Sequence, residues 1–107
     1  MLFPKRTKFR KMHRRDSYRK EFRANTLSRG EFGIKSLCSG RITAKQLEAA
    51  RKTMLKKMNR IGRIVLRIFP DVAITGKPAE VRMGKGKGAV DYWCANVNSG
   101  RIIFEFQ

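Results

Sequence analysis

Ile42-Thr-Ala-Lys-Gln-Leu-Glu-Ala-Ala-Arg-Lys-Thr-Met-Leu-Lys-Lys-Met-Asn-Arg-Ile-Gly62 is the stretch on which the fold turns. Thr43 suits an N-cap and Gln46 stands at N3, so the two side chains can each satisfy the other's backbone N–H in a capping box. Ile42 before the cap and Leu47 at N4 complete a hydrophobic staple. The spacing predicts a helix from Ala44 to Arg60, closed by Gly62 as a C′ glycine. Leu47, Ala50, Met54, Met58 and Ile61 recur at intervals of three and four and mark its buried face. Arg51, Lys52, Lys56, Lys57 and Arg60 occupy the remaining surface, offset only by Glu48. A solvated helix face normally mixes signs. This one does not, so it is read as facing an anionic partner.

Strand patterns surround the helix. Glu31–Leu37 reads as a short strand with Phe32 and Ile34 on one face, broken at Ser39-Gly40. Arg63–Phe69 is apolar on both faces and reads as a central strand ended by Pro70-Asp71. Strand character returns at Glu80–Met83 and again at Ala89–Val97. Asn98-Ser-Gly100 is a turn signal within a hairpin, and Arg101–Phe106 alternates, with Ile102, Phe104 and Phe106 on one face. The order of strand, helix and then several strands gives an α+β fold: a mostly antiparallel sheet packed with one main helix. The folded domain is assigned to residues 31–107.

Residues 1–30 form a basic arm ahead of that domain. Lys5, Arg6, Lys8, Arg10, Lys11, Arg14 and Arg15 crowd its first half, and its apolar side chains are too scattered to build a core. Phe3, Phe9, Tyr18 and Phe22 can stack on bases or anchor the arm to its own domain; the sequence leaves both open. The whole chain has 107 residues, 26 Lys plus Arg against 8 Asp plus Glu, and a net charge of +18. Such self-repulsion in one small domain calls for a polyanion, and a phosphate backbone supplies one. RNA bound to so small a core would also stabilise it by linkage.

Arg82-Met83-Gly84-Lys85-Gly86-Lys87-Gly88 is the most distinctive loop. Glycines let backbone N–H groups approach a phosphate, while Lys85 and Lys87 add charge and Arg82 a bidentate contact. The spacing is neither a P-loop nor a dinucleotide fingerprint. A flexible connection between strands is the plain alternative; the surrounding charge favours nucleic acid.

Other classes find little support. No apolar run reaches the roughly 18 residues of a membrane span, and the basic residues are spread along the chain, so no membrane partner is expected. Cys38, Cys94 and His13 lack metal spacing, and two cysteines make no disulfide framework. No nucleophile elbow or paired carboxylates occur. Neither a metal, a cofactor nor catalysis is expected.

Four segments occur in the order found in one known family. They are Met1–His13, Gly40–Arg51, Arg67–Asp71, and Lys77–Gly88 followed by Tyr92-Trp93. Together they resemble the bacterial-type large-subunit ribosomal protein family L-sixteen over nearly the whole chain. The resemblance implies a non-enzymatic α+β protein bound to large-subunit rRNA near the aminoacyl-tRNA site and the peptidyl transferase centre. There it would support tRNA positioning and late subunit assembly. It makes Lys5, Arg6, Lys8, Arg10, Lys11, Arg14 and Arg15 rRNA contacts. It also implies that residues 82–88 lie close to rRNA and tRNA and that neighbouring ribosomal proteins are further partners. The family usually continues with another helix and strand. Their absence here is expected to uncover the Ile102–Phe106 face for a separate chain, a neighbouring protein or RNA. Residues 14–30 and Asn98–Gly100 depart from the family pattern. Shortness and drift point to an organellar ribosome, the mitochondrial matrix first, with bacterial cytoplasm and plastid as alternatives. The family start coincides with Met1, so no transit peptide is expected. A non-ribosomal basic nucleic-acid binder is the alternative function; it explains the charge but not the ordered segments.

Overall fold

The capping box at Thr43 forms as the sequence requires. Thr43 Oγ1 accepts the Gln46 backbone N–H at 3.2 Å, and Gln46 Oε1 accepts the Thr43 N–H at 3.0 Å. The structure is a computed structural model that describes residues 2–12, 20–21, 23, 25–59, 61–76, 84 and 86–107. Helix α1 spans Ala44–Lys57 and is capped at Met58, short of the expected Arg60. Asn59 turns the chain with φ 54°, a left-handed conformation that asparagine tolerates better than most residues. The apolar periodicity therefore outruns the helix: Leu47 is buried, Ala50, Met54 and Met58 are half-buried, and Ile61 is 75% exposed rather than on the buried face. Asn59 thus takes the C′ place expected of Gly62, which has positive φ three residues further on, where a Cβ would meet the Gln107 carbonyl oxygen at 2.5 Å.

Among the described residues six strands flank α1 in sequence: β1 (Phe32–Lys35), β2 (Gly40–Thr43), β3 (Ile64–Leu66), β4 (Val72–Gly76), β5 (Ala89–Val97) and β6 (Ile102–Phe106). They form two antiparallel three-stranded sheets, ordered β1-β6-β3 and β2-β5-β4, rather than one. In each, the central strand is later in sequence than both of its neighbours.

This topology corrects two expectations. Asn98-Ser99-Gly100 does not close a hairpin ladder: β5 and β6 already have both edges taken, so the turn carries the chain from one sheet to the other. The stretch after Arg63 is an edge strand, not a central one. Ile64 and Leu66 pack on the core from the side of β6, and Pro70, which has no N–H, stops further pairing. The expected strand at Glu80–Met83 falls outside the described residues.

The core is where the two sheets and α1 meet. Leu47, Ile68, Ala95, Val97 and Phe104 are each buried and packed together, with Ile42, Ala50, Met54, Ile64, Leu66, Ile103 and Phe106 against them. Ile102 and Phe104 are buried and Phe106 is half-buried, so the chain itself closes most of the β6 face that was expected to be uncovered. Exposed apolar side chains stand on and just after the neighbouring strand β1, at Phe32, Ile34 and Leu37. No helix among the described residues is long and apolar enough to cross a membrane.

Candidate nucleic-acid interface

The start of the arm runs along the outer edge of β4. The Ala73 N–H, directed away from β5, donates to Met12 Sδ at 3.3 Å. An edge strand offers unpaired backbone groups, and here the arm takes one up. Two further bonds join the arm to the glycine–lysine loop: Lys11 Nζ donates to the Lys87 carbonyl at 2.6 Å, and Lys87 Nζ donates to the Met12 carbonyl. Segments 75 residues apart in sequence thus share one basic surface.

Lys5, Arg6, Lys8, Arg10 and Lys11 are all exposed. Lys8 lies over the Phe9 ring at 5.6 Å, and the ring itself is largely exposed. In the loop, Gly84 and Gly86 have φ of 105° and 91°, with open space where a Cβ would stand. Their conformation, not crowding, demands glycine. Lys87 is exposed and Gly88 half-buried. Arg14, Arg15, Arg60, Arg82, Met83 and Lys85 lie outside the described residues.

On α1, Lys52, Lys56 and Lys57 are exposed, and Arg51 is half-buried with its guanidinium 3.6 Å from Glu48. The first turn carries no acidic residue and the last turn carries Lys56 and Lys57. The exposed Lys45 in the first turn adds a cation that the helical reading passed over.

The root of the arm is fixed by a buried carboxylate that the sequence pattern did not reveal. Glu105 is fully buried in β6. Its Oε1 accepts the Ser28 N–H at 2.7 Å and Arg67 Nη1 at 2.8 Å, and its Oε2 accepts the Arg29 N–H at 3.1 Å. Burial pushes the carboxyl up, but the Ser28 and Arg29 N–H groups and the Arg67 guanidinium outweigh it and hold it below the usual range. Upstream, Lys20 bridges Ser99 in parallel, and Glu21 lies 3.5 Å from Arg101. The only sequence signal was an acid placed between two phenylalanines in an apolar strand.

Among the described residues no group of three or more His, Cys, Asp or Glu side chains could hold a metal ion. Cys38 is exposed and Cys94 is buried.

A family model described as ribosomal protein L16p/L10e matches residues 4–107. The chain belongs to the L16p/L10e family of ribosomal proteins. "Large ribosomal subunit protein uL16" of Psychrobacter cryohalolentis is 52% identical over 107 residues, covering the whole chain and 78% of that protein. The proteins of the same name from Caulobacter vibrioides and a Sulfurovum species are 55% and 53% identical over 105 residues, covering 98% of this chain and 73% and 74% of theirs. As a member of the L16p/L10e family the chain is a structural protein and not an enzyme. The named relatives are bacterial.

Proposed function

We propose that the chain is a structural constituent of the large ribosomal subunit, bound to its rRNA near the aminoacyl-tRNA site and the peptidyl transferase centre. The observation that carries this reading is the junction of Lys11, Met12 and Lys87, which merges the basic arm and the glycine–lysine loop into one surface in a chain of this family. Arm residues Lys5, Arg6, Lys8, Arg10, Lys11, Arg14 and Arg15 and helix residues Arg51, Lys52, Lys56, Lys57 and Arg60 neutralise rRNA phosphates. Arg82 to Gly88 stand closest to tRNA and support its positioning. Residues 1–30 act as an rRNA-binding arm, and residues 31–107 as the domain that it anchors.

Neighbouring ribosomal proteins, or a separate segment corresponding to the extra length of the relatives, cover the apolar groove of about 680 Å³ that Ile34, Ile42, Met54 and Ile103 line beside α1. The setting is a ribosome, mitochondrial by preference, with bacterial cytoplasm and plastid as the alternatives. Fractionation of the source cells into organellar and cytosolic ribosomes with antibody detection distinguishes them. The test of the central reading is sedimentation of tagged protein through a high-salt sucrose gradient with sequencing of the co-purified RNA. Recovery with the large subunit and its rRNA is the expected result. Recovery at the top of the gradient, or with DNA, overturns the reading in favour of a general nucleic-acid binder.

A further inference from the structure

A second feature lies where the N-terminus of α1 meets β5. Phe3, Ala44, Lys45, Asp91, Tyr92 and Trp93 line a cleft of about 430 Å³, within the usual range for small-ligand sites. The cleft depends on a register shift. Thr75 pairs with Val90 and Ile74 with Tyr92, which leaves Asp91 opposite no residue. Such a bulge bends the strand and redirects its residues, and here the consecutive residues Asp91, Tyr92 and Trp93 all line one cleft. Phe3 is 58% exposed and Tyr92 is 42% exposed, so aromatic surface stands open to solvent on a highly charged protein.

We infer that this cleft binds a nucleobase turned out of its stack, guanine in preference, with its phosphate toward the first turn of α1; the inference rests on the RNA-binding reading above. Exposed aromatic side chains beside cationic groups are the usual platform for unstacked bases. The first turn leaves its Ala44 and Lys45 N–H groups without helical acceptors and carries no acid to repel a phosphate. The base is chosen by the two charged side chains. Asp91 can only accept hydrogen bonds and Lys45 can only donate them. Guanine alone presents two adjacent donors, N1–H and the N2 amine, next to an acceptor, O6. Adenine and cytosine offer one amine beside a ring acceptor that a carboxylate repels, and uracil offers a single donor.

Trp93 is the only tryptophan of the chain, so its emission reports this cleft alone. The experiment titrates the full chain with the 5′-monophosphates of guanosine, adenosine, cytidine and uridine, and with ribose 5-phosphate. Quenching by the guanosine nucleotide at the lowest concentration, with no response to ribose 5-phosphate, is the expected result. Phe3→Ala should weaken all four nucleotides, and Asp91→Asn should lower the preference for guanosine by about fivefold or more, as for loss of one bidentate base contact. Equal responses to ribose 5-phosphate and the nucleotides would reduce the cleft to a phosphate site and overturn the proposal. Equal responses to all four nucleotides would overturn the choice of guanine. Filter retention of large-subunit rRNA on the same preparations separates the two readings. Retention without base-dependent quenching overturns the cleft alone, and absence of retention overturns the reading on which it rests.

Discussion

Replacing Lys52, Lys56 and Lys57 together by glutamine tests whether the exposed face of α1 meets phosphates. Ten candidate basic side chains lie among the described residues: Lys5, Arg6, Lys8, Arg10, Lys11, Arg51, Lys52, Lys56, Lys57 and Lys87. With one phosphate neutralised by each, log K for rRNA should fall against log salt with a slope of roughly −7 to −9. The triple variant keeps seven contacts, so its slope should be roughly −5 to −6. Between 50 and 200 mM salt the parent then loses roughly 10⁴- to 10⁵-fold in affinity and the variant about 20- to 40-fold less than that. Folding should barely change. The three side chains are exposed, and loss of two cations from the last turn costs only a few tenths of a kcal/mol each by the helix dipole, partly offset by relief of their mutual repulsion. The assay is filter binding to large-subunit rRNA across a salt series, with a thermal melt of each protein. An unchanged slope in a variant that melts like the parent would refute the argument, because it would mean that this face touches no phosphate.

Glu105→Gln removes a carboxyl that the folded chain holds below its ordinary range. The stabilisation from such a group is complete above the unfolded pKa of about 4.3 and is lost as pH falls through the lower folded value. The parent should therefore lose stability on acidification below about pH 4.3 more steeply than the variant, as read by urea unfolding at several pH values. Leu47→Ala, at the centre of the core, should cost roughly 2–5 kcal/mol in the same assay; a cost below 1 kcal/mol would mean that α1 is not seated as described. Arg82→Ala with Lys85→Ala should leave the melting temperature unchanged and impair translation by reconstituted subunits, whereas loss of folding would make the loop structural.

The helix start was legible because a capping box is a local signal confined to four residues, and both of its hydrogen bonds form. The helix end was not. Periodicity continues through Ile61, while the chain leaves the helix at Asn59 by a backbone conformation that no spacing announces. β2 was hidden for a related reason: it is four residues long, begins with glycine, and ends on Thr43, the same residue that caps α1. β4 was lost between Pro70 and Pro78, too short for alternation to register. Strand pairing depends on partners tens of residues away, so the division into two sheets could not be read from patterns along the chain. The basic residues of the candidate interface were legible from composition and sign. Their assembly through Lys11 and Lys87, and the tie from Glu105 to Ser28 and Arg29, are long-range contacts that local sequence does not encode.

The order of strands within the two sheets has a consequence for how the protein is made. β1 and β2 are synthesised before α1, and β3 and β4 after it, yet each of these four strands finds its ladder partner only in β5 or β6. At ordinary elongation speeds the ribosome needs roughly 4 to 15 s to travel from β1 to the end of β6. Throughout that interval the growing chain carries strands with open edges and apolar side chains, alongside a concentration of positive charge on the surface of the machine that is making it. The last eighteen residues of strand and turn, 89–106, close both sheets at once, so the newborn protein passes from wholly unpaired to fully paired in one late step.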